Sequence, residues 1–92
     1  MTITKTTIYP FEPGAPYNDL KAYAEVTLEG VLTIKGIQVY RKANGAMYIR
    51  LPSQLGKNGE YKDLVIAETP DFQKHLRDTI VAAFKEQMVE GI

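Results

Sequence analysis

Between Leu20 and Ser53 the chain alternates apolar and polar residues with a period of two, a pattern that buries its apolar set only as half-covered strand. Leu20, Ala22, Ala24, Val26 and Leu28 fall on one face, and Lys21, Tyr23, Glu25, Thr27 and Glu29 on the other. After Gly30 the alternation resumes with Leu32 and Ile34 inward, slips by one residue at Lys35 and Gly36, and continues with Ile37 and Val39 inward. A one-residue slip that returns the apolar set to the same face marks a β-bulge. A third run, Met47, Ile49 and Leu51, follows Ala43, Asn44 and Gly45 and closes at Pro52 and Ser53. Three such runs in succession predict an antiparallel meander with one buried face.

The turns fix its register. If Leu28 faces Leu32, then Val26 faces Ile34 inside and Glu25 faces Lys35 outside, an opposite-charge pair worth about 0.2 to 1 kcal/mol. A three-residue loop at Ala43, Asn44 and Gly45, with Gly45 in the left-handed conformation, sets Val39 opposite Ile49 and Tyr40 opposite Tyr48. A two-residue turn at Asn44 and Gly45 would mispair the faces.

Around the meander the sequence predicts a first strand over residues 2–9, rich in threonine and isoleucine, with Ile3 and Ile8 out of phase. Pro10 places it at an edge. Phe11 to Asp19, with Pro13, Gly14, Pro16 and Asn18, reads as a surface loop. The meander strands span about 20–29, 31–41 and 46–52, and a short strand is expected over 60–66. Gly56, Lys57, Asn58 and Gly59 spell the G-x-x-G of KH domains, where the loop joins two helices; between β-like runs an ordinary hairpin turn is the better reading. Thr69 as N-cap, Pro70 at the first helical position and Asp71 in the first turn open a helix to about Met88. Phe72, Leu76, Ile80, Ala83 and Phe84 form its apolar stripe. The expectation is a single α+β domain over 1–92: a small antiparallel sheet of four to five strands with one C-terminal helix packed on one face.

A chain of 92 residues buries only about 60 to 65% of its unfolded surface, so a homodimer interface would help it. Eleven basic and eleven acidic side chains cancel, which removes the global field of a strongly basic nucleic-acid binder and leaves local patches. Without cysteine there is no disulfide framework, thiolate zinc site or cysteine nucleophile. No signal-peptide pattern follows Met1 and no apolar run reaches membrane-spanning length, so a cytoplasmic, soluble protein is expected.

The chemistry-bearing residues do not assemble into an enzyme. His75 stands alone on the helix flank without other metal ligands. Glu25 and Glu29 share a strand face with Lys21 and Lys35 and read as a solvated ion-pair surface, and Ser53 has no base in view. No phosphate-binding loop, dinucleotide fingerprint or nucleophile elbow occurs. Catalytic residues, metal, cofactor, small-molecule substrate and membrane partner are therefore not expected. Two surfaces stand out. The outer meander face should carry Tyr23, Tyr40 and Tyr48 among Lys21, Lys35 and Arg50, as on sheets that bind single strands; a dimer contact or ordinary β-propensity tyrosines is the alternative. On the helix, Lys74, Arg77, Val81, Lys85 and Met88 line up opposite the apolar stripe. The cations would suit phosphates, and exposed Val81 and Met88 a dimer or partner contact.

The run Leu20-Lys-Ala-Tyr-Ala-Glu-Val-Thr-Leu28, the Gly36-Ile37-x-Val39 element, Asn44-Gly45, Leu51-Pro52-Ser53 and Gly59-Glu60-Tyr61-x-Asp63 together resemble, in order and spacing, the stage V sporulation protein G (SpoVG) septation-regulator family. The resemblance covers nearly the whole chain. It implies a small β-sheet with a C-terminal helix, a homodimer, and a cytoplasmic regulator linked to septation and to sporulation or virulence control that binds DNA and RNA. A protein-interaction module of the division machinery with little nucleic-acid affinity is the alternative. Two departures accompany the resemblance: the longer loop from Phe11 to Asp19, and Phe72, Gln73 and His75 where the family typically shows a threonine-arginine pair and then a lysine, leaving Lys74 and Arg77 as displaced stand-ins.

Overall fold

The computed structural model describes residues 1–10 and 19–90, the side chains of 88–90 excepted. Strands β1 (Ile3–Pro10), β2 (Leu20–Leu28), β3 (Leu32–Arg41) and β4 (Met47–Arg50) form one antiparallel sheet in chain order. β5 (Ser53–Leu55) and β6 (Tyr61–Asp63) pair only with each other, and α1 (Pro70–Glu90) follows. Apart from Asp19, the loop expected over Phe11 to Asp19 lies outside the described residues.

The meander has the expected register. Val26 pairs with Ile34 and Leu28 with Leu32, Ala24 pairs with Ile37, and Lys35 and Gly36 together face Glu25. That is a bulge, and Gly36 takes a φ of 80°, which glycine adopts without the penalty a Cβ would bring. Because two residues oppose one, Glu25 and Lys35 form no ion pair. Val39 faces Ile49 and Tyr40 faces Tyr48. Lys42 N–H donates to the Ala46 carbonyl at 2.8 Å, enclosing the three-residue loop, with Gly45 at a φ of 90°. At the other end Glu29 and Gly30 have φ values of 54° and 70°, the sign pattern of a type I′ turn.

β1 lies at the edge, as Pro10 requires, and carries a second irregularity between Ile3 and Lys5. This shift resolves the phase conflict of its isoleucines: Ile3 pairs with Leu28 and Ile8 with Ala24, so both point to the core face.

The core joins Ile8, Ala22, Ala24, Val26, Leu28, Ile37 and Val39 to Leu76, Ile80 and Phe84 of α1, with Phe72 and Ala83 at its margin. Each large side chain so covered contributes about 1.5 to 3 kcal/mol relative to exposure. The Thr69 hydroxyl accepts from Phe72 N–H at 3.2 Å, and the Thr69 carbonyl accepts from Gln73 N–H at 3.0 Å, the expected N-cap. Near the far end, Gln87 Nε2 donates to the Ile8 carbonyl at 3.2 Å, tying α1 to β1.

Two expectations are corrected. Alternation puts Leu32 inward, but it is 57% exposed; it opens β3 beside the turn and lies outside the core cluster. The strand expected over 60–66 is only three residues long and does not join the meander. Chain direction changes at Pro52, which has no N–H to extend the ladder, and its carbonyl accepts from Leu64 N–H at 2.9 Å. The chain thus makes a second hairpin, closed by Gly56 N–H donating to the Glu60 carbonyl at 2.7 Å. The G-x-x-G tetrapeptide lies in this hairpin turn, between strands.

Candidate functional site

The outer sheet face carries the polar half of the period-two pattern. One cross-strand row runs Tyr9, Tyr23, Gln38, Arg50; beside it Tyr40 pairs with Tyr48. The rings of Tyr40 and Tyr48 stack with centroids 4.9 Å apart and planes 4° from parallel, and Lys42 Nζ lies 5.5 Å from the Tyr48 centroid. The Tyr40 hydroxyl donates to Gln38 Oε1 at 3.0 Å. Tyr9, Gln38 and Lys42 were not singled out from the sequence. Tyr9 could have been found only by recognising the β1 irregularity, which puts Ile8 inward and Tyr9 outward. Lys35 sits in the bulge, away from the stacked pair.

On α1 the structure separates the proposed stripe. Lys74, Arg77 and Lys85 are exposed, Val81 is half-buried where an exposed contact residue was expected, and the side chain of Met88 lies outside the described residues. Val81 is drawn in because its neighbours Ile80 and Phe84 are packed on the sheet. Arg77 is engaged locally: Nε and Nη2 donate to Asp78 Oδ1 at 3.2 and 3.1 Å. Both side chains are roughly half exposed, so this pair is worth at most about 1 kcal/mol and a phosphate can compete for the guanidinium.

The fold also brings two of these surfaces together. Between β4, the β5–β6 hairpin and the first turns of α1 lies an open cleft of about 590 Å³. Arg50 and Tyr48 reach it from β4, Tyr61 from β6, and Gln73, Lys74 and Arg77 from the helix. Three cations face one lining carboxylate, Asp63. Sequence separation hides this convergence, since Arg50 and Lys74 belong to different periodicities. The sequence predicts Tyr61 within a strand and not at a site; it is 69% exposed and lines the cleft, its ring accessible to a ligand there. Lys85, Lys35, Tyr23 and Tyr40 do not line it.

Cationic side chains around an open trough with exposed rings can hold a polyanion with flat substituents, phosphates on the cations and planar groups on the tyrosines. Among the described residues no group of three or more His, Asp or Glu side chains is placed to hold a metal ion. His75 is exposed, its ring 6.0 Å from that of Phe72. No helix among them is long and apolar enough to cross a membrane.

The family model SpoVG matches residues 1–86. A Borreliella afzelii protein named "Putative septation protein SpoVG" is 34% identical over 91 residues, covering 99% of this chain and 90% of its own. Relatives of the same name from Borrelia hermsii, 34% identical over 99% of this chain and 91% of theirs, and from Treponema denticola, 28% identical over 94% and 88%, align over a similar span.

Proposed function

The chain belongs to the SpoVG family, and from that premise we infer that it is a non-catalytic cytoplasmic regulator of the septation type that binds DNA or RNA as a homodimer. The names of its relatives support the link to septation. The observation that carries nucleic-acid binding is the convergence of Arg50, Lys74 and Arg77 with Tyr48 and Tyr61 in one cleft. With a net charge of zero the chain has no global attraction for a polyanion, so affinity must come from such a local cluster. Arg50 can grip a phosphate bidentately, Lys74 acts as a point charge, and Arg77 exchanges Asp78 for a phosphate oxygen. Tyr61 offers a surface for an unstacked base, which favours single strands over duplex.

The test is a binding titration with single- and double-stranded DNA and RNA at two salt concentrations. Replacing Arg50, Lys74 and Arg77 together by alanine should weaken binding to unrelated sequences alike and flatten the log-log salt slope by about two to three. Lys85→Ala, outside the cleft, should change the slope by much less. An unchanged slope in the folded triple variant refutes the reading. Asp63 in the cleft and Asp78 beside Arg77 favour the second reading, a protein-interaction module with little nucleic-acid affinity. In that case the triple variant leaves any residual affinity untouched while partner binding is lost.

A further inference from the structure

The cleft takes up only the β4 end of the outer sheet face. Among the described residues α1 is the one element outside the four-stranded sheet with extensive contact to its strands, and it takes the inner face. The outer face stays open, and one residue from each strand forms the row Tyr9, Tyr23, Gln38, Arg50 across it. Arg50 belongs to both surfaces, since it also lines the cleft. We propose that a single-stranded nucleic acid held in the cleft continues past Arg50 along this row and stacks its bases on Tyr23 and Tyr9. The proposal rests on the nucleic-acid reading of the preceding section and extends its site from the cleft onto the sheet.

Three features select this ligand. Strands β1 to β4 carry Lys5, Lys21, Lys35, Arg41 and Arg50 against one carboxylate, Glu25, so the sheet is a positive region of a chain whose charges cancel overall. That sign suits a phosphate backbone. Second, the rings along the row are open: Tyr9 is 50% and Tyr23 38% exposed, whereas Tyr40 and Tyr48 are half-buried and stack on each other. An unpaired base offers such a ring a flat face whatever its identity, while bases within a duplex are already stacked. Third, the spacing fits. Neighbouring strands lie about 4.8 Å apart, so the row spans about 14 Å from Arg50 to Tyr9. Aromatic side chains on four-stranded sheets of this extent stack two or three bases. Between the rings and Arg50, the Tyr40 hydroxyl holds Gln38 by its Oε1, which leaves the two amide N–H donors of Gln38 for the edge of a base.

The test is a length series of oligothymidylates titrated against the full chain. In the wild type, affinity should rise about tenfold or more over the two or three nucleotides that reach the rings. In Tyr9→Ala with Tyr23→Ala that rise should vanish, while the log-log salt slope on the longest oligomer stays at its wild-type value, because neither residue releases a counterion. Tyr9→Phe with Tyr23→Phe keeps both rings and should restore the rise. An alanine pair that keeps the rise or flattens the slope, or a phenylalanine pair that lacks the rise, overturns the stacking row and leaves the cleft standing. A wild type without affinity for any single strand overturns both. If the alanine pair misfolds, Tyr9→Ile with Tyr23→Ile, which suits a strand and has no aromatic face, decides by the same measurements.

Discussion

The β3–β4 hairpin and the β5–β6 hairpin are built alike and end differently. Each turns through a three-residue loop whose asparagine side chain accepts from the amide two residues on, Asn44 from Ala46 at 3.0 Å and Asn58 from Glu60 at 3.1 Å. Each has a glycine at positive φ after that asparagine. Yet Val39 is completely buried and Ile49 packs against the core, while neither strand of the second hairpin has a buried residue. Turn chemistry decides where a hairpin forms. What covers its face decides how much that hairpin contributes to stability, and here α1 covers one and not the other.

The contrast breaks most visibly at Ile37. Ile37→Asp puts a charge at a position of zero exposure with no partner, at a cost of several kcal/mol against a total of about 5 to 15, and should abolish the folded circular dichroism spectrum. A folded spectrum would mean that this face of β3 is not the core. A smaller effect is expected from the helix that does the covering. Thr69→Ala removes the acceptor for Phe72 N–H and should lower stability by about 1 kcal/mol in urea unfolding, with no change in m-value. A change below about 0.3 kcal/mol would show that the helix start is held by other contacts. The smallest is expected on the uncovered hairpin, where Leu55→Ala, measured at a concentration low enough to keep the chain monomeric, should shift unfolding by no more than about 0.5 kcal/mol. Its β5 and β6 amides should also exchange with solvent long before those of Ala24 and Ile37. Equal protection in the two hairpins at that dilution would erase the distinction.

Much of the architecture was legible because apolar alternation and turn type constrain each other. The Leu28–Leu32 and Val39–Ile49 pairings and the bulge at Lys35 and Gly36 all follow from keeping the same side chains inward. The helix start was legible from Thr69 and Pro70 for the same local reason. Leu32 was misplaced because alternation says which face a residue shares and not whether anything lies above it. The slip within β1 could not be seen, since its residues between Ile3 and Ile8 are threonines and a lysine, without an apolar phase to count. β5 was missed because three residues carry no period and Pro52 reads as a stop. Of the candidate site, the cation positions on α1 could be read from helical spacing, and Tyr48 and Arg50 from alternation. Their meeting with Tyr61 depends on where the second hairpin folds back, which no local pattern encodes.

The hydrogen bond from Gln87 to the Ile8 carbonyl, and the packing of α1 along β1, join the last element of the chain to the first. During synthesis, β1 to β3 emerge with their apolar face complete and nothing to cover it. At about 5 to 20 residues per second, the 49 residues from Lys42 to Glu90 take roughly 2 to 10 s to follow. For that interval Ala22, Ala24, Val26, Ile37 and Val39 have no native cover. The sheet therefore waits on α1 for its cover, and a truncation that removes the helix should leave that apolar face exposed.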